Sequence, residues 1–569
     1  MSERWSTTLL RAVLALAIVC GVTALIMVCF GFGPGEIAGM FAHPVSGGTG
    51  TAVPAAPTDV SPAKAQLGKG FGALDHVVLI VYLAGMLVIG WIASRRVKTA
   101  RNYFIGSGRM NYVLVGVSLL GSYLSALTMM SLSGASYGDL NWLYVAQLPF
   151  LILTAIIITR FVLPKYREAG VISVYEFLEQ RIDISARMLA SVSFVLLSIG
   201  RMGLVLYLPA LALATATGIS LPLSIIIAGV IITIYTAMGG IEAVIWNDVI
   251  QVVIIVAGAF LTMWYIFADI GVQQFIDVAS AHNKFQIINP SLNIAEITTL
   301  WLILETIFQT VRIYGNQQDM TQRYMSTEST AKANRSVWLS IAGYIPLGFI
   351  FYFIGTGLFV FYQVHPDPSL PGVRESIYPY FIVNSLPAGV SGLVIAAILA
   401  ASMSTIDSLM NSSSTVCVED FLKRFGRKKR TEGDYLSKAR LLTWMWGVLC
   451  VVMALVFMVI GSEYTQIIWG MLMAITTNGM VALTALAFLP FRVNKWAAIS
   501  GFAVSYVCLI LMMSTKFKVE PFLTIDSFLS PPHINFLLWT VVGNVVCFVV
   551  ALGVNAALSR EPSVAAENT

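Results

Sequence analysis

The stretch IAAILAASMSTIDSLMNSSSTVCVED, from Ile395 to Asp420, joins an apolar run to a row of hydroxyl and amide side chains. These polar side chains recur at steps of three and four residues, so they share one face of a helix. Such a face is costly against lipid and has to meet protein, water or an ion. The residues of this face are Ser404, Thr405, Ser408, Asn411, Ser412 and Thr415.

The composition indicates that this helix lies in a membrane. The chain has 569 residues, 57% hydrophobic and 11% charged, with a mean hydropathy of +0.81. Soluble proteins usually carry roughly 25% charged residues, so we predict an all-α polytopic membrane protein. About fourteen apolar segments are long enough to span a bilayer. They lie near 12–32, 74–94, 111–137, 142–164, 186–211, 219–238, 243–268, 297–315, 337–362, 387–416, 440–460, 465–489, 497–514 and 534–557.

Other function classes lack their signatures. The net charge of +5 comes with basic residues in loops, so we predict no nucleic-acid partner. Six cysteines and five histidines show no zinc, haem or disulfide spacing. A membrane enzyme needs a nucleophile–base pair, a metal cluster or a phosphate loop, and we find none, so we predict no enzyme and no catalytic residue. A sensor with a transporter fold usually adds a soluble domain, and only about a dozen residues follow the last segment.

Loop charges predict the orientation. The loops at 95–110 and 417–439 are rich in Lys and Arg, which places them in the cytoplasm. Both termini then lie on the cytoplasmic side of a cell (inner) membrane. The segment at 12–32 is predicted to be an uncleaved anchor helix, with a signal peptide as the alternative. It is followed by an external loop up to residue 73.

The number of apolar segments is compatible with an inverted repeat, because two successive groups of five segments must cross the membrane in opposite directions. Two groups of five segments, 111–268 and 297–489, have opposite predicted orientations, and inverted five-helix repeats place their site at mid-membrane between broken helices. We therefore divide the chain into an N-terminal helix and loop (1–73), a pre-core helix with a basic loop (74–110), the two repeats, and C-terminal helices with a short tail (490–569).

Two segments carry the residue types of a hard-cation site. The stretch SLLGSYLSALTMMSLSGASYG at 118–138 contains Gly121, Gly134 and Gly138. These glycines, with Ser122 and Ser125, predict a helix that unwinds near its middle and frees carbonyl groups. These carbonyls and the hydroxyls of 387–416 are the neutral oxygen ligands that a sodium ion prefers. The alternatives are hydroxyls that bond back to their own helix, and close helix packing through small residues.

Four charged residues fall inside apolar segments: Arg201, Asp248, Glu305 and Asp407. An ionisable side chain in the membrane is costly, so a functional role is the first hypothesis for each. The alternative is a structural ion pair, such as Arg201 with Asp248 or Glu305.

Four stretches together resemble the sodium:solute symporter family. They are YFIGSGRM at 103–110, GGIEAVIWNDVIQ at 239–251, NQQDMTQRYM at 316–325 and SMSTIDSLMNSSSTV at 402–416, and the likeness extends over about 74–515. The resemblance implies a LeuT-like core of inverted five-helix repeats with extra N- and C-terminal helices. It also implies a main sodium site formed by carbonyls of Gly121, Leu124 and Ala401 with hydroxyls of Ser404 and Thr405.

The resemblance further implies a second cation site at Asp248, Ser404, Asp407 and Ser408. Asp407 departs from the family pattern, which has a hydroxyl residue there. Two carboxylates at one site either bind a cation more strongly or share a proton, because like charges resist joint ionisation. Both outcomes stay open, so a proton-coupled carrier that uses Asp407 or Asp248 is an alternative.

For the solute, the chain resembles the sialic acid carriers of the family, in which an arginine matching Arg201 holds the sugar's carboxylate. The matching pocket positions are Ser125, Thr128 and Gln147, and Tyr123 stands where a smaller hydroxyl residue is expected. We therefore expect a monomeric symporter that imports a carboxylate-bearing sugar with sodium by alternating access. A neutral sugar, a polyol and a monocarboxylate are the alternative solutes.

Overall fold

The fold was examined in a computed structural model that describes residues 71–106, 108–372, 374–426, 431–460, 465–517 and 534–559. Within these ranges the chain is helical, and β structure is limited to one isolated bridge between Met110 and Thr327. The described helices include nine that are long and apolar enough to cross a membrane, or ten with one bent pair. The predicted all-α polytopic fold is thus confirmed, whereas the segment at 12–32 lies outside the described residues.

We number the helices in chain order. They are α1 (Ala73–Ser94), α2 (Ala100–Ile105), α3 (Tyr112–Tyr123), α4 (Ala126–Tyr137), α5 (Leu143–Ala169), α6 (Val174–Arg181), α7 (Ile184–Thr217), α8 (Leu221–Ile270), α9 (Val272–Ala281), α10 (Thr299–Asn316), α11 (Gln318–Met325), α12 (Thr330–Val364), α13 (Ile377–Ser385), α14 (Val390–Val416), α15 (Glu432–Ile460), α16 (Thr465–Thr477), α17 (Met480–Ala487), α18 (Lys495–Phe517) and α19 (Phe536–Leu558).

Helix α8 is long enough to cross a bilayer twice. Its 50 residues would span about 75 Å at 1.5 Å per residue, against a hydrocarbon core of about 30 Å. Gly240, at φ 57° and ψ −152°, divides it into two helical parts, which correspond to the predicted segments 219–238 and 243–268. A Cβ atom at Gly240 would lie 2.6 Å from the carbonyl oxygen of Tyr103, so a glycine lets α2 pack against the turn.

Two helices are interrupted by a short break. Helices α3 and α4 meet at an angle of 57°, so the prediction that 111–137 unwinds near its middle is confirmed. The break lies at Leu124 and Ser125, both extended, and not at a glycine; the Ser125 hydroxyl caps α4 by accepting the Thr128 N–H at 3.2 Å. The second break, at Gln317 between α10 and α11, was not predicted.

Helix α14 occupies the centre of the molecule. It packs against α1, α3, α7, α8 and α15, and almost all of its side chains are buried. Its start is fixed to the pre-core helix α1, because the Asp75 carboxylate accepts the N–H groups of Gly389 and Gly392 at 2.6 and 2.7 Å. The hydroxyl-rich face of α14 therefore meets protein on every side rather than lipid.

Candidate ion and solute sites

The end of α3 meets the middle of α14 through hydroxyl and carbonyl oxygens. The Ser404 hydroxyl lies 3.0 Å from the Gly121 carbonyl oxygen and 3.2 Å from that of Ala401. The Thr405 hydroxyl lies 3.4 Å from the same Ala401 oxygen. Leu124, fully buried, ends α3 one turn after Gly121. The structure brings four of the five predicted main-site residues into contact and places the fifth on the adjoining turn.

This junction has the chemistry of a hard-cation site. The last carbonyl groups of a helix have no partner in their own helix, and the break after Tyr123 creates such an end inside the protein. Together with the α14 hydroxyls they provide oxygen ligands without formal charge. The alternative, hydroxyls that bond back to their own helix, also describes this face. Ser412 and Thr415 donate to the carbonyls of Ser408 and Asn411 at 2.7 and 2.9 Å, and Thr405 donates to that of Ala401 at 3.4 Å.

A second cluster next to this junction is charged. The guanidinium of Arg323, in α11, lies 2.9 Å from the carboxylate of Asp248, in α8, and both side chains are fully buried. The same guanidinium donates to the Ser118 hydroxyl at 2.7 Å and to the Ser408 hydroxyl. Its remaining nitrogen donates to the backbone carbonyl of Asp319 at 2.7 Å. The Arg323 side chain thus joins α3, α8, α11 and α14.

Asp407 lies in the same cluster, fully buried. One carboxyl oxygen accepts the Tyr235 hydroxyl at 2.9 Å, and the other lies 3.1 Å from the Ser408 hydroxyl. Ser408 also contacts the carbonyl oxygen of Ser404. The predicted second-site residues are therefore neighbours. Sequence reasoning missed Arg323 and Tyr235, although Arg323 stands inside the quoted 316–325 motif.

In the part of the chain that the structure describes, no carboxylate lies within ion-pair distance of Arg201, so neither Asp248 nor Glu305 forms the structural ion pair that was its alternative. Asp248 pairs with Arg323, and Arg201 lies 3.4 Å from the side-chain oxygen of Gln317. The Arg201 guanidinium also lies 6.0 Å from the ring centre of Trp469. The break at Gln317 thus faces a buried arginine.

Several buried polar atoms near the second break have no hydrogen-bond partner in the described part of the chain. They include Arg201 Nε, Arg312 Nη1, Gln317 Nε2 and Asp319 Oδ1, and both side-chain atoms of Asn316. Buried polar groups are normally satisfied by protein, water or a ligand. Glu305 lies on α10 two helical turns before Arg312. This end of α10 can therefore receive a polar ligand.

The other predicted solute residues lie at the first break and beside α10. Ser125 and Thr128 contact each other at 3.2 Å at the start of α4. Tyr123 packs against two tyrosine rings, with a centre distance of 4.5 Å to Tyr344. The Gln147 side-chain oxygen accepts the Thr306 hydroxyl of α10 at 2.8 Å. Gln147 and Arg201 therefore both contact the α10–α11 segment, Gln147 at Thr306 and Arg201 at Gln317.

The far end of α4 is covered by a lysine. The amino group of Lys284 donates to the carbonyl oxygens of Tyr137 and Gly138 at 2.7 and 2.8 Å. Beside it, Arg374 forms a 2.5 Å ion pair with Asp139. The pKa of the Lys284 amino group is lowered to about 8. Burial is the largest cause; the charge of Asp139 opposes it, and the charge of Arg374 acts in the same direction as burial. These loop charges fasten the end of the broken helix.

Comparison with known proteins identifies relatives of this chain. A sodium/sialic acid symporter of Proteus mirabilis is 33% identical over 449 residues, 77% of this chain and 89% of the relative. The human sodium-coupled monocarboxylate transporter 1 is 30% identical over 463 residues, 77% of this chain and 74% of the relative. The solved substrate-bound, outward-open structure of a Na⁺-coupled sialic acid symporter superposes with a TM-score of 0.77 at 29% identity, covering 86% of this chain and 98% of that one.

A more distant structure shares the fold alone. Mhp1, a nucleobase-cation-symport-1 family transporter, matches with a TM-score of 0.50 at 15% identity over 79% of this chain and 94% of that one. The relatives are sodium-coupled transporters, which confirms the prediction of a carrier that moves a solute with sodium and is not an enzyme. The sodium:solute symporter family matches residues 103–504, and the chain belongs to that family.

Proposed function

We propose that this protein imports a carboxylate-bearing sugar of the sialic acid type together with sodium. The observation that carries the proposal is the contact of the Ser404 hydroxyl, in α14, with the Gly121 carbonyl, at the end of α3 next to the α3–α4 break. An ion bound there would hold the broken helix against α14. Because coupling between two ligands is reciprocal, sodium would raise solute affinity and the solute would raise sodium affinity by the same factor.

The proposed sodium ligands are the carbonyls of Gly121, Leu124 and Ala401 and the hydroxyls of Ser404 and Thr405. Four of these residues already contact one another, and the ion would take the place of the direct hydroxyl–carbonyl bonds. At a membrane potential of 100 mV, each sodium that enters contributes about 2.3 kcal/mol to uphill transport.

The proposed solute clamp is Arg201. Its Nε atom is buried without a hydrogen-bond partner, and a guanidinium can hold a carboxylate by two parallel hydrogen bonds. Tyr123, Ser125, Thr128 and Gln147 complete the proposed pocket. The sialic acid symporters among the relatives support an acidic sugar. The monocarboxylate transporter among the relatives makes a small monocarboxylate the alternative to be tested, although the sialic acid symporters favour the acidic sugar.

The finer architecture is part of the proposal. We propose inverted five-helix repeats at 111–268 and 297–489, about fourteen spans in all, and a functional monomer in a cell (inner) membrane. The basic loops place both termini in the cytoplasm. The two broken helices, α3–α4 and α10–α11, stand at equivalent positions at the start of the two repeats, and this supports the repeat assignment.

Uptake into proteoliposomes tests the function. Labelled sialic acid, a hexose, a polyol and lactate are each offered with an inward sodium gradient, with equal sodium, and with potassium in place of sodium. We expect sialic acid to accumulate only when the inward sodium gradient is present. Accumulation of lactate but not sialic acid would establish the monocarboxylate alternative, and uptake indifferent to sodium would refute the coupling.

A further inference from the structure

Helix α10 carries a buried arginine to which the proposed function gives no role. Arg312 lies near the end of α10, before the break at Gln317, and its side chain is 2% exposed; Arg201, in α7, is 6% exposed. In the described part of the chain, neither guanidinium has a carboxylate within ion-pair distance. A buried charge without a counter-charge is costly, so both arginines call for a ligand.

Both arginines lie against the same face of α16. The guanidinium carbon of Arg201 lies 6.0 Å from the ring centre of Trp469, and Arg312 Nη2 lies 3.6 Å from the sulfur of Met473. Trp469 and Met473 are in one helix at positions i and i+4, so their side chains lie one turn apart on one face. The two guanidinium groups therefore contact adjacent turns of α16.

Each of these guanidinium groups keeps a donor that no described residue accepts. Arg201 Nε and Arg312 Nη1 are buried without a hydrogen-bond partner, and so is Gln317 Nε2. The Gln317 side chain stands next to Arg201, because Arg201 Nη1 donates to Gln317 Oε1 at 3.4 Å. Buried donors are normally paired, and an acidic group offers several acceptor oxygens at once. Free donors on both arginines therefore indicate acidic groups of a ligand.

A buried arginine with a structural role is paired differently in this protein. Arg187, which joins α7 to the segment after α14, donates to the carboxylate of Asp420 at 2.9 Å and to that of Glu179 at 2.6 Å. Arg312 instead donates to the thioether sulfur of Met473, which is a weak acceptor. A contact of this kind does not explain why a charged side chain is buried at Arg312.

The carboxylates nearest along the chain do not replace such a ligand. Glu305 lies on α10 two turns before Arg312, and Asp319 lies in the first turn of α11. Within the described ranges, neither is in ion-pair contact with Arg201 or Arg312. Asp319 Oδ1 is itself buried without a hydrogen-bond partner. A hydroxyl group of a sugar acid can donate to this oxygen, whereas a bare inorganic anion cannot.

We propose that Arg312 is a second anion-binding residue of the solute pocket and that the solute is a sugar acid with two acidic groups. Arg201 binds one acidic group and Arg312 binds the other, each through N–H donors that the protein leaves free. The proposal rests on the proposed sodium symport of an acidic sugar, and it specifies the class of that sugar.

Isothermal titration of the wild type in saturating sodium tests for the second acidic group. Two matched pairs of ligands are compared: gluconate with glucarate, which has a further carboxylate at the other end of the same chain, and sialic acid with its 9-phosphate. In at least one pair we expect the ligand with two acidic groups to bind at least about tenfold more tightly, the value of one charge-assisted hydrogen bond. Equal or weaker binding of the doubly acidic ligand in both pairs would overturn the proposal and leave the symport of a monoacidic sugar standing.

Variants of Arg312 then assign the preference to this residue. Arg312→Gln should lose the preference while it still binds the monoacidic ligand, and Arg312→Lys should retain part of it because the charge remains. A preference that arises only because either end of glucarate can reach Arg201 would persist in Arg312→Gln and would overturn the role of Arg312. Arg335→Gln, at an exposed arginine of α12, is the control and should behave as the wild type.

The same titrations separate this proposal from the proposed function. Absence of sodium-dependent binding for all four acids would overturn the import of an acidic sugar, and the second anion-binding residue with it. If Arg312→Gln does not fold, the comparison within each pair in the wild type and in Arg312→Lys still decides, because a protein with one anion-binding arginine has no reason to prefer two acidic groups.

Discussion

One broken helix presents free carbonyl groups at two places, and their partners differ. At its far end, the carbonyls of Tyr137 and Gly138 receive the amino group of Lys284 at 2.7 and 2.8 Å. At its middle, the Gly121 carbonyl receives the neutral hydroxyl of Ser404 at 3.0 Å and, in the described part of the chain, no charged side chain. Both ends have the same chemistry, because unpaired carbonyls of a helix end attract positive charge.

The two places therefore differ in function: at one the protein's own cation holds the carbonyls as a structural contact, which we call a fastening, and at the other we propose that a sodium ion binds. Where the protein provides its own cation, the carbonyls are permanently occupied and the chain is held. Where it provides a hydroxyl, a mobile cation can replace the weak contact. Arg323, which donates to the Asp319 carbonyl and pairs with Asp248, belongs to the first class, and we assign the Gly121–Ser404 junction, the proposed sodium site, to the second. The comparison predicts different results when each partner is removed.

The largest effect is expected at the binding junction. Ser404→Ala with Thr405→Ala removes two proposed ligands, each worth about 1.5–3 kcal/mol to a charged group, and should abolish sodium-dependent uptake. Sodium affinity, followed by a sodium-dependent thermal shift, should fall at least about a hundredfold. Ser412→Ala is the matched control, because Ser412 bonds only along α14. Normal sodium affinity in the double variant would contradict the site.

A smaller effect is expected at Arg201, which the proposal assigns to the solute rather than to sodium. Arg201→Ala should weaken sialic acid binding roughly tenfold to a hundredfold, the value of a charge-assisted hydrogen-bond pair. Sodium binding without solute should stay as in the wild type. Isothermal titration measures the binding of sialic acid and of its carboxylate methyl ester. The sodium-dependent thermal shift measures sodium binding without solute. An equal loss for acid and ester would show that Arg201 does not hold the carboxylate.

The pair of Asp248 and Arg323 should behave as a fastening. Removing one partner of a buried ion pair leaves an uncompensated charge and usually costs about 3–5 kcal/mol, whereas neutralising both is far less harmful. Asp248→Asn and Arg323→Gln should each lower the melting temperature in detergent, and the double variant should recover most of the loss. Losses that simply add would show that the two charges do not depend on each other.

The central hydroxyl face was predictable because helical spacing is visible in the sequence. Apolar segments and the three- and four-residue steps of α14 need no tertiary information. The unwound helix was also predicted, from its glycines together with Ser122 and Ser125, and the break occurs at Leu124 and Ser125 rather than at a glycine. A serine that caps a new helix looks in sequence like one more small polar residue.

Charge partners were less predictable, because they come from distant parts of the chain. Asp248 and Arg323 are 75 positions apart, and Asp407 and Tyr235 are 172 apart. Periodicity identifies a costly charge but not the group that compensates it. The break at Gln317 was missed because α11 is polar and lacks the apolar run by which a helix in the membrane is recognised.

The smallest effect is expected at Lys284, the fastening at the far end of α4. Burial lowers its pKa from 10.5 to about 8 in the folded protein. Below pH 8 both the folded and the unfolded chain hold the proton, and the cost of the buried charge is fully present. Between pH 8 and 10.5 the unfolded chain binds more protons, so the free energy of unfolding rises with pH.

Lys284→Met removes this pH dependence together with the two bonds to carbonyl oxygens. From pH 7.5 to 9.5 the melting temperature of the wild type should therefore rise relative to that of Lys284→Met, by about 1–2 °C for a gain of at most about 2 kcal/mol. Lys332→Met, at an exposed lysine of α12, controls for the lost charge and should follow the wild type. A parallel course of wild type and Lys284→Met would mean that the amino group does not release its proton in this range. Lys284 would then hold the carbonyls of Tyr137 and Gly138 as a fixed charge at every pH tested, which would sharpen its contrast with the exchangeable junction at Gly121.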